Sequence, residues 1–180
     1  MTAKQRSSSP TEEVATAMRR WGSSVWRLAF VRTESREDAD DVYQEVFLGM
    51  LTHRFPRESD EALKAWLLRC TINRCNDLGR ASSKRPHADW DDVALDRLPS
   101  PSADTLPESC LVAREEQRAL WEAVSRLEPT FRDVVHLHYA EGLTCRQIAD
   151  IVSCSVAAVH VRLHRARRHL RNALEGRSRR

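Results

Sequence analysis

Apolar residues recur every three or four positions along nearly the whole of this chain, a period that leaves helices as the dominant solution. No stretch alternates apolar and polar residues for long, and only five glycines are spread over 180 residues. The pattern has one long interruption. Residues 81–108, ASSKRPHADWDDVALDRLPSPSADTLPE, hold four prolines and little periodicity. Such a composition reads as a linker, here with an acidic middle at Asp89, Asp91, Asp92 and Asp96. The expected fold is therefore all-α: two small helical domains, at 9–82 and 109–176, joined by a flexible acidic linker at 83–108. The length suits one ordinary domain or two small ones.

Within the first domain, SSSPTEE opens a helix that Ser9 or Thr11 can cap, with Pro10 and the acids suited to a first turn. Trp21, Val25, Leu28 and Ala29 form its apolar stripe. A second helix starts near Ser35. Its predicted buried face is Ala39, Val42, Tyr43, Val46, Phe47, Met50 and Leu51. RFPRESDE breaks the pattern, and a third helix then turns Leu63, Trp66, Leu67, Cys70, Thr71 and Leu78 inward. Beyond the linker, Leu111, Leu120, Val124 and Leu127 mark one helix. EPTFRDVVHLHYAEG is another, ending at Gly142.

The net charge is only +3, yet residues 162–180 carry eight arginines against one acid, Glu175. An Arg-rich end on a helical pattern is the electrostatic footprint of a nucleic-acid binder. No apolar run approaches the roughly 18 residues that span a membrane, and MTAKQRSSSPTEE lacks the apolar core of a secretory signal. No membrane insertion and a cytoplasmic location are expected. The five cysteines are odd in number and lack CxxC spacing, so free thiols are expected. Cys145, Cys154, His160 and His164 have ligand chemistry, but eight residues separate the two cysteines, where zinc fingers place two to four. No metal or other cofactor is expected. Neither a glycine-rich phosphate loop, an HExxH motif nor a nucleophile–base pair is present, and no catalytic residue is assigned.

The most specific stretch is GLTCRQIADIVSCSVAAVHVRLHRARRHL. Thr144 caps a short helix carrying Ile148, Ala149, Ile151 and Val152; Ser153 and Cys154 turn; Ser155 caps the next helix, which turns Val156, Val159 and Leu163 inward. A small residue at Ala149 allows two helices to cross closely. This is a helix-turn-helix, whose second helix enters the major groove. Its outward side reads Ala157, His160, Val161, His164, Arg165 and Arg168, with Thr144 and Ser155 at the two helix starts and Arg162, Arg167 and Arg171 placed for phosphates. The turn often carries glycine; a serine there costs about 1 kcal/mol if φ is positive.

Three segments together resemble the extracytoplasmic-function (ECF) sigma factors of the sigma-70 family: DADDVYQEVFL, WLLRCTINRCNDLGR and the helix-turn-helix, in that order, within residues 12 to about 174. The resemblance implies a sigma-2-like N-terminal bundle and a sigma-4-like C-terminal domain. It implies that Asp41, Gln44 and Glu45, with Asp38 peripheral, dock on bacterial core RNA polymerase. It implies that Arg69, Asn73, Arg74, Asn76 and Arg80 face the −10 element, Asn73 lining a pocket for a flipped base walled by the loop Phe55–Glu61, with Lys84 and Arg85 on phosphate. The helix-turn-helix set would read the −35 element. His160 and Val161 replace the basic and small polar residues expected there, which points to an unusual −35 preference. The linker carboxylates would imitate phosphates in the polymerase channel. Implied partners are core polymerase, promoter DNA and a sequestering anti-sigma factor, with the free chain monomeric. The alternative is a stand-alone helix-turn-helix regulator; it has no use for the acidic helix.

Overall fold

The computed structural model describes residues 9–81, 96–98 and 110–177. Three helices make the N-terminal half: α1 (Pro10–Thr33), α2 (Arg36–Thr52) and α3 (Asp60–Ala81). Ser9 caps α1 in a reciprocal box with Glu12, which satisfies two otherwise orphaned donors. The helix ends at Glu34 with φ 53°, and Ser35 caps α2 by accepting from the Asp38 N–H. The helices cross closely at Gly22, where a Cβ would lie 2.9 Å from the Tyr43 hydroxyl. Val25, Ala29, Phe30, Ala39, Val42, Val46, Phe47, Met50 and Leu67 fill the core. Trp26 stacks on Phe30, and its indole N–H donates to Asp40 at 2.7 Å, meeting the polar requirement of a buried tryptophan.

The second half holds α4 (Cys110–Ser125), α5 (Pro129–Val135), a π-helical turn (His136–Ala140), α6 (Cys145–Ile151) and α7 (Val156–Arg177). The helix predicted to run unbroken to Gly142 instead widens over its last turn. The Glu141 N–H then bonds five residues back, to the His136 carbonyl, and Gly142 leaves with φ +68°. Thr144 caps α6 in a box with Gln147. Ser153 takes the left-handed conformation, φ 52°, and the Cys154 N–H closes the turn on the Ala149 carbonyl at 3.0 Å. Ile148, Ala149, Ile151, Val159 and Leu163 pack beneath it. Ser153→Gly is expected to leave stability within about 0.5 kcal/mol, the relief of strain offset by unfolded-chain entropy. Ser153→Val is expected to cost roughly 1–2 kcal/mol; chemical denaturation of the two variants measures both.

Two features depart from the predicted packing. Leu51 and Val156 were expected inward, but Leu51 sits about 100° around α2 from Met50 and is 51% exposed, and Val156, the first residue of α7, lies beyond the buried Val159 and is 41% exposed. The two halves also share a core: Leu28 of α1 and Leu68 and Ile72 of α3 join the apolar cluster of the helix-turn-helix. Part of the linker is seated as well. Leu98 is buried, its carbonyl accepts from the Gln117 amide at 3.1 Å, and the Arg97 guanidinium lies 4.4 Å over the Trp26 ring. Asp89, Trp90, Asp91, Asp92, Lys84 and Arg85 fall outside the described residues.

Cys70, Cys75, Cys145 and Cys154 are free thiols, and burial pushes Cys75 up to about 12, out of reach of thiolate chemistry at neutral pH. Among the described residues, no helix is long and apolar enough to cross a membrane.

Candidate functional site

The acidic segment forms one face because its apolar residues fix the rotation of α2. With Ala39, Val42, Val46 and Phe47 buried, Asp41, Gln44 and Glu45 are left exposed. Asp38 sits half-buried in the first turn. One turn further along the same face, Leu48 is 58% exposed. An exposed leucine framed by carboxylates has the composition of an interface centre, an apolar anchor within a polar rim. Charge reading alone missed Leu48; its i+3 and i+4 spacing from Glu45 and Gln44 was the available signal.

Arg69, Asn73 and Asn76 lie exposed along α3, as the spacing required. Two of them already have partners. The Arg69 guanidinium donates to the Asp150 backbone carbonyl on α6 at 2.6 Å, and the Asn76 amide oxygen accepts from Arg32. Arg74 turns away from this row and ion-pairs with Glu45, joining α3 to the acidic face. The side chain of Arg80 lies outside the described residues. The loop after α2 places Phe55 against Trp66 and Arg57 over Phe55. It walls a groove of about 730 Å³ together with Ala17 and Trp21 of α1, and Asn73 does not line that groove.

On α7, the buried residues Val159, Leu163 and Ala166 set the rotation of the helix. Ala157, His160, Val161, His164, Arg165 and Arg168 consequently share the solvent side, with Arg162 half-buried. Thr144 and Ser155 spend their hydroxyls on the two helix starts; Ser155 accepts from the Ala158 N–H at 3.1 Å. The His160 ring also faces the Cys145 sulfur at 4.0 Å. Arg167 donates to the Tyr139 hydroxyl at 2.6 Å, so it steadies the helix rather than standing free.

A set of charges absent from the sequence expectations joins the two halves. The Glu141 carboxylate accepts from the Ser24 hydroxyl and Lys64 ammonium, each at 2.8 Å, and from Arg27 at 3.2 Å. The fully buried His136 ring lies 3.7 Å away. Burial alone would push this carboxyl up; His136, Lys64 and Ser24 overcome it and hold Glu141 well below the usual carboxylate range. A second cluster is reciprocal. Arg32 of the N-terminal half meets Asp133 at 3.0 Å, and Arg132 meets Glu34 at 2.7 Å while donating to the Val31 carbonyl. Pairs more than 60 residues apart leave no trace in helical periodicity.

Comparison with known proteins places these surfaces in context. The model of sigma-70 region 2 matches residues 17–85, and that of sigma-70 region 4 matches residues 117–170. The chain is 31% identical over 153 residues to a probable RNA polymerase sigma factor, RfaY, of Xanthomonas campestris pv. campestris; the match takes in 84% of this chain but only 38% of that protein's length. It is 26% identical over 150 residues to the ECF RNA polymerase sigma-E factor of Haemophilus influenzae, covering 80% of this chain and 78% of that one. Its fold matches the sigma factor RpoE of Bartonella quintana, solved with the anti-sigma factor NepR. The TM-score there is 0.68 at 17% identity, over 91% of this chain and 98% of that one.

Proposed function

The chain belongs to the sigma-70 family as an extracytoplasmic-function sigma factor, and from that premise we propose that it docks on bacterial core RNA polymerase through the α2 face and carries promoter specificity on α3 and α7. The observation that carries this reading is the separation of charge. Asp41, Gln44 and Glu45 are exposed on one helix, and His160, His164, Arg165 and Arg168 on another. A carboxylate face repels the DNA backbone, so it serves a basic protein partner; complementary charge speeds that encounter and fixes its orientation. The basic helix serves the opposite polyanion. Its role is binding and positioning rather than catalysis, in the cytoplasm where the polymerase works. An anti-sigma protein is the expected antagonist, as in the Bartonella complex.

The closed arrangement adds a requirement. The −10 and −35 elements lie about 25 base pairs apart, roughly 80 Å of duplex, whereas Arg69 on α3 touches the backbone of α6. One molecule reads both elements only after its halves separate.

A labelled chain titrated with purified core polymerase at physiological salt tests the reading. Saturable, equimolar association is expected. A dimer that binds palindromic duplex and ignores the polymerase would replace it with the stand-alone regulator. On promoter DNA, Arg165→Ala is expected to cost about 1–3 kcal/mol with altered preference at one −35 position. A loss equal across all sequences would make Arg165 a phosphate contact.

A further inference from the structure

Building on the sigma-factor reading above, we propose that Val161, with Ala157 beside it, reads thymine methyl groups in the −35 element, making C5-methyl contact a determinant of promoter choice.

A helix-turn-helix presents the N-terminal residues of its second helix to base edges. Here that half of α7 offers Val156, Ala157, His160 and Val161 to solvent, while the arginines Arg165 and Arg168 stand further along. Val161 is 50% exposed and lies opposite the buried Val159 and Leu163 on the same helix, whereas Val156, 41% exposed, stands at the open start of that buried row. Large exposed apolar side chains are scarce among the described residues. They are Met18, Leu48, Leu51, Tyr139 and these two valines. Leu48 lies on the acidic docking face, and Tyr139 bonds Arg167. Val161 therefore marks the second working surface as Leu48 marks the first.

Valine has no donor or acceptor, so it contributes nothing to phosphate or to a hydrogen-bonded base edge. Its branched side chain is stiff at χ1 and holds its methyls in one place. The thymine C5-methyl is the apolar group that DNA displays in the major groove. Ala157, one turn before Val161 on the same face, keeps the helix low enough for such contact. An apolar protein or a second copy of this chain is a poor occupant, because His160, His164 and Arg165 surround the valine and favour a polyanion.

The test uses holoenzyme, formed from core polymerase and the full chain, on a promoter selected by that holoenzyme. Each −35 thymine is replaced singly by deoxyuridine, which removes only the methyl group. Loss of about fourfold in affinity is expected at one or two positions, the value of one buried methyl. Val161→Ala is expected to remove that sensitivity at one of them; its exposed site makes it harmless to the fold, which circular dichroism checks. Sequence-selective −35 binding that ignores every deoxyuridine would overturn the methyl readout while leaving the sigma-factor reading intact. No −35 selectivity at all would overturn both. Val161→Ala that weakens polymerase association but preserves methyl sensitivity would reassign the valine to a protein contact.

Discussion

Replacing Glu141 with alanine is expected to part the two halves of the protein. The carboxylate is almost wholly buried and serves Arg27, Lys64 and Ser24 at once. Removing it strands two cations in a low-dielectric seam, which costs about 3 kcal/mol. Opening the seam returns these partly buried cations to water, so the molecule relieves the cost by opening. Small-angle scattering would show the radius of gyration rising from the compact value for this length, about 16 Å, by several ångströms. Glu141→Gln keeps the shape without the charge and is expected to open it less. The sign of the pH dependence follows from the depressed carboxyl. Its contribution is fully present above the unfolded value, 4.5, and is lost as pH falls through the lower folded value. Closure is expected to persist from neutrality to about pH 5 and to fail only in stronger acid. An equally compact Glu141→Ala protein would mean that the shared apolar cluster around Leu68 and Ile72 suffices.

The second large effect belongs to α2. Asp41→Lys with Glu45→Lys reverses the charge of an exposed face; it gives up the partly exposed Glu45–Arg74 pair but leaves the core residues untouched, so the helical signal is expected to be unchanged. Association with core polymerase is expected to fall at least about a hundredfold, since unfavourable charge across an interface costs several kcal/mol. Leu48→Ala is expected to weaken binding through lost apolar contact and to leave its salt dependence alone. A charge-reversed protein that binds as before would move the docking surface elsewhere.

Local chemistry made much of this molecule legible. Thr144 and Ser155 cap the helices at which they were expected, Ser9 rather than Thr11 caps α1, and Ser35, near which α2 was expected to start, caps it, because a cap is a contract between residues three apart. The helix-turn-helix pattern put Ser153 where glycine is common and left its φ conditional; the structure gives it a positive φ. The outward rows of α2 and α7 followed from the inward ones. What escaped is long-range. Leu68 and Ile72 point away from the stripe of α3 and bury themselves against a domain on the other side of the linker. Glu141 carried no expectation of its own beyond preceding the glycine that ends a helix, and the widened turn delivers it into the seam between the halves. Arg74 shared a row with Asn73 in the sequence, but the neighbouring helix supplied Glu45 and claimed it.

In vitro transcription from a fragmented genomic library, with purified core polymerase and this chain alone, bears most directly on the division of labour between the acidic and basic helices. The expected result is a set of start sites, each preceded by the same pair of elements, which disappears when Asp41 and Glu45 are reversed. Start sites no different from those of core polymerase alone would contradict it.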